Sequence, residues 1–368
     1  MRNRLHALCP YFAMFPESFV EDHVKRLTCE GDYVFDPFSG RGTTVLQALL
    51  MGRQAVAMDI NPVAYCVSAA KAQVPRPARL LKEIERLERQ YETCDRRALT
   101  EQRHRLPPFF GRAFHYTTLE QLLFLRGNLD WRRDKTQRFV AAMTLGILHG
   151  EMGSSVRYLS NQMPRTISTK PAYSLRYWRQ HNLWPRKKDV FERLRTESQF
   201  RLSGELPSRS GSVRLGDARE AARRFPRLAG KIACAITSPP YFDVTDCEED
   251  QWLRLWFLGN DPKPTYGRIS TDDRHGQKDR YWDFLSEVWS GIAGLMRRDA
   301  ILACRMGGAR MTEPEITSGL SASLSQAFPA ARLIDQPKIT NLRNRQTRSF
   351  RPDSTGCRFE VDYVFQLG

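Results

Sequence analysis

The chain has 368 residues, 41% hydrophobic and 27% charged, a mixture that can bury a sizeable core and excludes wholesale disorder. No run of eighteen apolar residues is present and the N-terminus lacks the apolar stretch of a secretion signal, so neither a membrane helix nor export is expected. Lys and Arg number 57 against 41 Asp and Glu, and the resulting charge of +16 favours a polyanionic partner, nucleic acid ahead of an anionic membrane.

The length suggests two or three units, or one α/β core carrying a large insertion. In chain order, Tyr33–Asp36 and Ala55–Asp59 read as short strands, with a helix over Thr43–Leu50 closed by Gly52. This is a strand–helix–strand crossover. Five further strands are expected at Ser212–Leu215, Ile232–Ile236, Ala300–Cys304, Ala331–Ile334 and Phe359–Phe365. Helical patterns lie between most of them, so the fold class is α/β with a seven-stranded, mainly parallel, doubly wound sheet. The last two strands have no helix between them and are expected to pair antiparallel.

Residues 78–205 interrupt this rhythm and read as a largely helical insertion. Its patterns include Leu80–Gln90, with Leu80, Ile84 and Leu87 on one face, then Leu119–Leu125 and Thr136–Leu148. Between Arg157 and Arg195 there are ten Lys or Arg against two acids, interleaved with Tyr158, Tyr173, Tyr177, Trp178, Trp184 and Phe191. Alternating cations and rings suit a nucleic-acid surface, and equally suit a helical subdomain with its own aromatic core. The expected organisation is therefore 1–77, 78–205 and 206–368, with the middle segment the candidate target-recognition region. The eight cysteines include no CxxC pair, and the histidines no HxH or HxxxH. Reduced cysteines of a cytoplasmic protein are expected, and no metal site.

Two loops carry chemistry. In Asp36-Pro-Phe-Ser-Gly-Arg-Gly-Thr-Thr44, two glycines after a strand let backbone N–H groups at a helix start face a ligand. Asp59, at the end of the next strand, stands where an acid grips a ribose diol in nucleotide-binding α/β folds. Val45 replaces the third glycine or alanine of the dinucleotide fingerprint, and no Gly-Lys-Ser/Thr ending is present. That disfavours NAD and a phosphate loop and leaves another adenosyl cofactor, or a purely structural turn. The second loop, Thr237-Ser-Pro-Pro-Tyr241, directly follows an apolar strand, where open α/β sheets bind ligands. Two prolines remove donors and leave carbonyls as acceptors, Ser238 adds a hydroxyl and Tyr241 a ring, an arrangement suited to a planar base with an exocyclic amine.

Taken together, Phe38-Ser-Gly-Arg-Gly42 and Ser238-Pro-Pro-Tyr241 resemble the two signatures of the amino-directed, S-adenosylmethionine-dependent DNA methyltransferases. Ala13-Met-Phe-Pro16 is similar to that family's N-terminal cofactor segment, Met58-Asp-Ile-Asn-Pro62 to its ribose step and Leu215-Gly-Asp-Ala218 to its adenine loop. The resemblance covers residues 1–75 and 206–368. It implies S-adenosyl-L-methionine held by Phe15, Pro16, Asp36, Pro37, Phe38, Ser39, Gly40, Gly42, Thr43, Thr44, Asp59, Ile60, Asn61, Asp217 and Ala218. It further implies a catalytic loop of Ser238, Pro239, Pro240 and Tyr241, with Ser238 and the Pro239 carbonyl orienting the target amine and Tyr241 stacking on a flipped base. Serine in the first signature position is typical of cytosine-N4 enzymes; neutral Ser238, as donor and acceptor, would meet cytosine's ring nitrogen and amine together. The implied activity is cytosine-N4 methylation of double-stranded DNA in a restriction–modification or phage-defence setting, with a cognate endonuclease as a further partner. Adenine-N6 methylation is the alternative, followed by an RNA methyltransferase and a catalytically silent DNA-binding subunit. The motif order resembles the family's alpha group. Arg343, Arg345, Arg348 and Arg351 are expected to touch the DNA backbone, while Trp252 and Trp256 read as packing residues first.

Overall fold

A computed structural model describes residues 3–11, 15–150, 158–162, 170–242, 247–264, 277–308, 310–342 and 357–368, without the side chains of 247–250. Arg343, Arg345, Arg348 and Arg351 lie outside the described residues. The chain forms two compact units: Tyr11–Gln73, Pro207–Asp246 and Ile269–Gly368 make one, and Met1–Pro10, Val74–Leu206 and Cys247–Arg268 make the other.

The first unit is an α/β sheet. Its strands are β1 Tyr33–Asp36, β2 Gln54–Asp59, β3 Ser212–Leu215, β4 Ile232–Thr237, β5 Met296–Gly308, β6 Arg332–Leu333, β7 Lys338–Asn341 and β8 Phe359–Gln366. They run in the order β3-β2-β1-β4-β5-β8-β6, with β7 also paired to β8. The first five are parallel, and β8 runs antiparallel to β5, β6 and β7. Every residue of β4 is buried, as a strand covered on both faces requires. Side chains alternate between two cores. Val34, Ala57, Cys234 and Ile236 pack with α1 Glu17–Leu27, α2 Thr43–Leu50 and α3 Pro62–Ala72. Phe35, Met58, Ala235 and Leu302 pack with α11 Ala221–Arg224, α13 Lys278–Ala293 and α14 Glu313–Ser325.

Seven strands were expected, and eight are found among the described residues. The additional β7 is exposed at all four positions, so it has no buried face to betray it in the sequence. β5 is longer than expected, extending back through Arg297, Arg298 and Asp299 and on to Gly308.

The second unit is helical: α4 Pro77–Thr93, α5 Arg96–His104, α6 Pro108–Ala113, α7 Tyr116–Asn128, α8 Lys135–Leu148, α9 Pro171–Gln180, α10 Val190–Leu202 and α12 Cys247–Phe257. Leu80, Ile84 and Leu87 are fully buried, matching their shared face. Trp252 and Trp256 pack against Phe109 and Phe110 inside this unit, a core role. Among the described residues, 3–10 and 247–264 cluster with these helices rather than with the sheet.

Candidate active site

Three strand ends of the sheet unit carry the expected residues: β1 opens the loop 37–42, β2 ends at Asp59 and β4 ends at Thr237. The first loop is wound tightly. Gly40 and Gly42 both have left-handed backbones, φ 47° and 73°. A Cβ on Gly42 would lie 2.8 Å from Ser68 Cα, so glycine is needed there for conformation and for space. Beside Gly40 the nearest such contact is 3.7 Å away, at Tyr11, leaving room at the loop's crest.

Side chains invisible to motif reading hold this loop. Lys71, fully buried on α3, donates to the Arg41 carbonyl at 2.6 Å. Arg41 is itself buried, donates to Thr43 Oγ1 at 3.2 Å and pairs with Glu17 of α1 at 3.5 Å. Ser39 Oγ donates to Ser68 Oγ at 3.1 Å, and Thr44 Oγ1 donates to the Ile236 carbonyl at 3.2 Å. The hydroxyls of Ser39, Thr43 and Thr44 thus bond within the protein, and what they offer a ligand is the backbone at the start of α2. Phe15 is buried in the core over α1, Pro16 is the residue before that helix, and Phe38 packs toward Phe284.

Asp59 accepts from Gly40 N at 2.8 Å and from Asn61 N at 2.9 Å, with the Ile60 amide also pulling on it, and a carboxylate with about four lone-pair sites keeps capacity for a ligand. Burial pushes its carboxyl up to about 6 against the pull of those amides. Ile60 beside it is 70% exposed, a bare apolar face, while Asn61 caps α3 through Val63 N. Asp217 is gripped by Arg219 through both carboxylate oxygens, Nε lying 3.0 Å from each, and a ligand there would share it with that guanidinium. Ala218, next to it, is buried.

Asp36 faces inward. It is fully buried, and its Oδ1 accepts from Thr237 Oγ1 at 2.7 Å and from Phe38 N at 3.1 Å. Burial raises its carboxyl to about 6. Pro37 is buried beside it. Asp36 therefore acts on the two loops from beneath, joining the end of β1 to the end of β4.

In the second loop the Pro240 carbonyl accepts from Tyr281 Oη at 3.1 Å, Tyr281 being a buried residue of α13 that motif reading passes over. Pro239 is buried and Ser238 partly exposed. The Tyr241 ring lies on the backbone of Gly307, where an added Cβ would fall 2.2 Å from the ring, and its hydroxyl donates to Glu360 Oε1 at 3.1 Å. Ser238 Oγ donates to Tyr241 Oη at 3.2 Å. In this arrangement Ser238 gives its proton to Tyr241 and turns lone pairs outward, whereas the resemblance implies a donor and an acceptor together.

In the helical unit the aromatic residues of the basic segment divide. Tyr158, Trp178 and Phe191 are core, whereas Tyr173 and Trp184 are 51% and 65% exposed. Trp184 is held in place rather than loose. Its indole N–H donates to Asn182 Oδ1 at 3.1 Å, and the Arg112 guanidinium lies 3.6 Å over its ring. Asn182 takes a left-handed backbone, φ 47°, to make that bond. Trp184, Tyr116, Pro107, Phe114 and Arg103 line a cavity of about 330 Å³, with Arg186 and Lys187 exposed alongside in the sequence.

Residues 2–70 match the model of the DNA methylase family. Over 69 residues the chain is 36% identical to the type II methyltransferase M.MjaII of Methanocaldococcus jannaschii, covering 19% of this chain and 13% of that one. Over 54 residues it is 46% identical to the orphan methyltransferase M.BamHII of Bacillus amyloliquefaciens, covering 15% and 20%. The chain therefore matches about an eighth to a fifth of the length of these curated relatives. Among solved structures, the rRNA methyltransferase aviRa of Streptomyces viridochromogenes aligns over 98% of this chain and 91% of its own, at 14% identity and a TM-score of 0.36. TrmN of Thermus thermophilus aligns over 99% and 52%, at 9% identity and the same TM-score. Likeness that loose says nothing about activity.

Proposed function

We propose that the chain is an S-adenosylmethionine-dependent DNA methyltransferase acting on an exocyclic amine, cytosine N4 by the resemblance of its Ser238 loop. The observation that carries the reading is the buried Thr237–Asp36 bond, which fixes a glycine loop of cofactor type and a Ser-Pro-Pro-Tyr loop at adjacent strand ends of one sheet. The match of residues 2–70 to DNA methylases supports it.

The residues fit the cofactor. Asp59, with acceptor capacity left beyond its backbone amides, suits a ribose diol, Ile60 offers an apolar face to adenine, and the space beside Gly40 admits a ligand against backbone N–H groups. The cofactor supplies an electrophilic methyl on a sulfonium. The protein supplies orientation: an amine conjugated to its ring is a poor nucleophile, and acceptors that hold its hydrogens turn the lone pair toward the methyl. Ser238 Oγ and the Pro239 carbonyl are those acceptors, on a loop stiffened by two prolines and tied by Tyr281. Adenine N6 remains the second reading, because a serine acting as acceptor serves either amine.

The DNA is held in part by the helical unit, in which residues 74–206 contain 26 Lys or Arg against 14 Asp or Glu. Exposed Trp184, prefixed by Asn182 and Arg112, stacks against a base, and Arg186 and Lys187 meet phosphates.

Three outcomes are expected. Ser238→Ala lowers methyl transfer to DNA roughly 100-fold with cofactor and DNA affinity unchanged, as read by tritium incorporation and by titration. Unchanged transfer would remove Ser238 from the site. Cofactor affinity, measured calorimetrically, is constant above pH 7 and falls as pH drops through about 6, approaching tenfold per unit, because the ribose grip requires ionised Asp59. Asp59→Asn binds weakly at every pH. Trp184→Ala weakens DNA binding roughly 5- to 150-fold without altering its salt dependence, whereas Lys187→Ala lowers the salt slope by about 0.9.

A further inference from the structure

Ser238 and Tyr241 do not act alone. Tyr241 Oη donates to Glu360 Oε1 of β8 at 3.1 Å, and Glu360 Oε2 accepts from Arg305 Nη1 of β5 at 3.3 Å. Arg305 is anchored in turn by Asp362, at 2.6 Å from Nε and 2.8 Å from Nη2. The side chains of Arg305, Glu360 and Asp362 are all at least four-fifths buried.

The direction of every hydrogen bond in this row follows from the chemistry of its end. Burial pushes the Glu360 carboxyl up, and against it the Arg305 guanidinium, which has donors and no acceptor, and the Tyr241 hydroxyl both favour the ionised, accepting form. A carboxylate can only accept, so Tyr241 must spend its single proton on Glu360. Tyr241 can then only accept from Ser238, so the 3.2 Å bond between them is made with the Ser238 proton. What Ser238 turns outward is lone pairs alone. We infer that Glu360, fixed by Arg305, is the positioning residue that sets this polarity and makes Ser238 an obligate acceptor for the substrate's exocyclic amine. The inference rests on the reading of Ser238 as the residue that meets that amine. It also means that Ser238 gives no donor to a ring nitrogen, so discrimination between cytosine and adenine must come from other groups.

Glu360→Gln tests it, because the substitution keeps shape and inverts the row. Arg305 retains the amide oxygen as its acceptor, which turns Nε2 toward Tyr241. Tyr241 then donates to Ser238, and the Ser238 proton faces the incoming amine. The expected result is a fall in kcat of roughly 10- to 100-fold, with KM for DNA and Kd for S-adenosylmethionine within about twofold of wild type. Tyr241→Phe breaks the row at its centre, and the double variant is expected to be no worse than the poorer single variant, since both act through Ser238. A second readout needs no turnover. In protein carrying ¹³C at tyrosine Cζ, the Tyr241 resonance, assigned by its loss in Tyr241→Phe, shifts in Glu360→Gln as the phenol changes from donor to carboxylate to acceptor from amide. A kcat kept within twofold in Glu360→Gln, a double variant whose loss is the product of the two singles, or an unmoved Tyr241 resonance would each overturn the inference. Should Ser238→Ala prove silent while the Tyr241 resonance still moves, the row stands and the reading of Ser238 as the amine's acceptor falls.

Discussion

The bond from Thr237 Oγ1 to buried Asp36 Oδ1 is the constraint on which the candidate site depends. It lies beneath both functional loops, at the carboxyl ends of the adjacent strands β1 and β4. Hydrogen bonds to a charged acceptor contribute about 1.5–3 kcal/mol, and one made in the interior is directional as well. The carboxylate costs free energy to bury, as its raised proton affinity shows, and that cost is offset in part by the hydroxyls of Thr237 and Thr44 and the Phe38 amide. That cost is tolerated where removing the group would let the two loops drift independently. The same carboxylate takes the Phe38 amide, so the glycine turn begins from a fixed point.

Around that point the site is built by groups working at one remove. Lys71 and Arg41 hold the glycine loop by its backbone and to α1, Tyr281 holds the proline loop by a carbonyl, and Arg305 with Glu360 holds Tyr241 by its hydroxyl. The left-handed turns at Gly40 and Gly42 keep backbone, rather than side chains, at the crest of the loop. Each of these groups is thereby oriented before any ligand arrives, which is how the proposed transfer to a weakly nucleophilic amine would gain rate from geometry.

The framework was legible in the sequence where burial imposes a pattern. β4 reads as a strand because all six of its residues are apolar or small and lie between two helical layers. The two loops read as sites because glycines and prolines at strand ends have few other uses. Legibility failed where burial imposes none. β7 is exposed throughout, and the charged start of β5 and its closing glycines look like loop. Lys71, Arg41 and Arg305 are invisible because a charged residue in a sequence reads as solvent-facing, and only the fold reveals the carbonyl or carboxylate that makes its burial tolerable. The family resemblance places Asp36 among the cofactor residues, and nothing local reveals its inward role, because its partner Thr237 lies 201 residues away. The six aromatic residues of the basic segment left core and surface readings open, and the fold buries three, exposes two and half-buries Tyr177.

The most direct measurement is mass spectrometry of nucleosides from DNA incubated with the purified protein and S-adenosylmethionine carrying a heavy methyl. The expected product is heavy N4-methylcytosine, absent when the cofactor is withheld. Heavy N6-methyladenine would retain the site and its chemistry and contradict the choice of base. No labelled base in DNA of varied sequence, with label appearing in RNA or with DNA bound and unmodified, would contradict the proposal that this chain is a DNA methyltransferase.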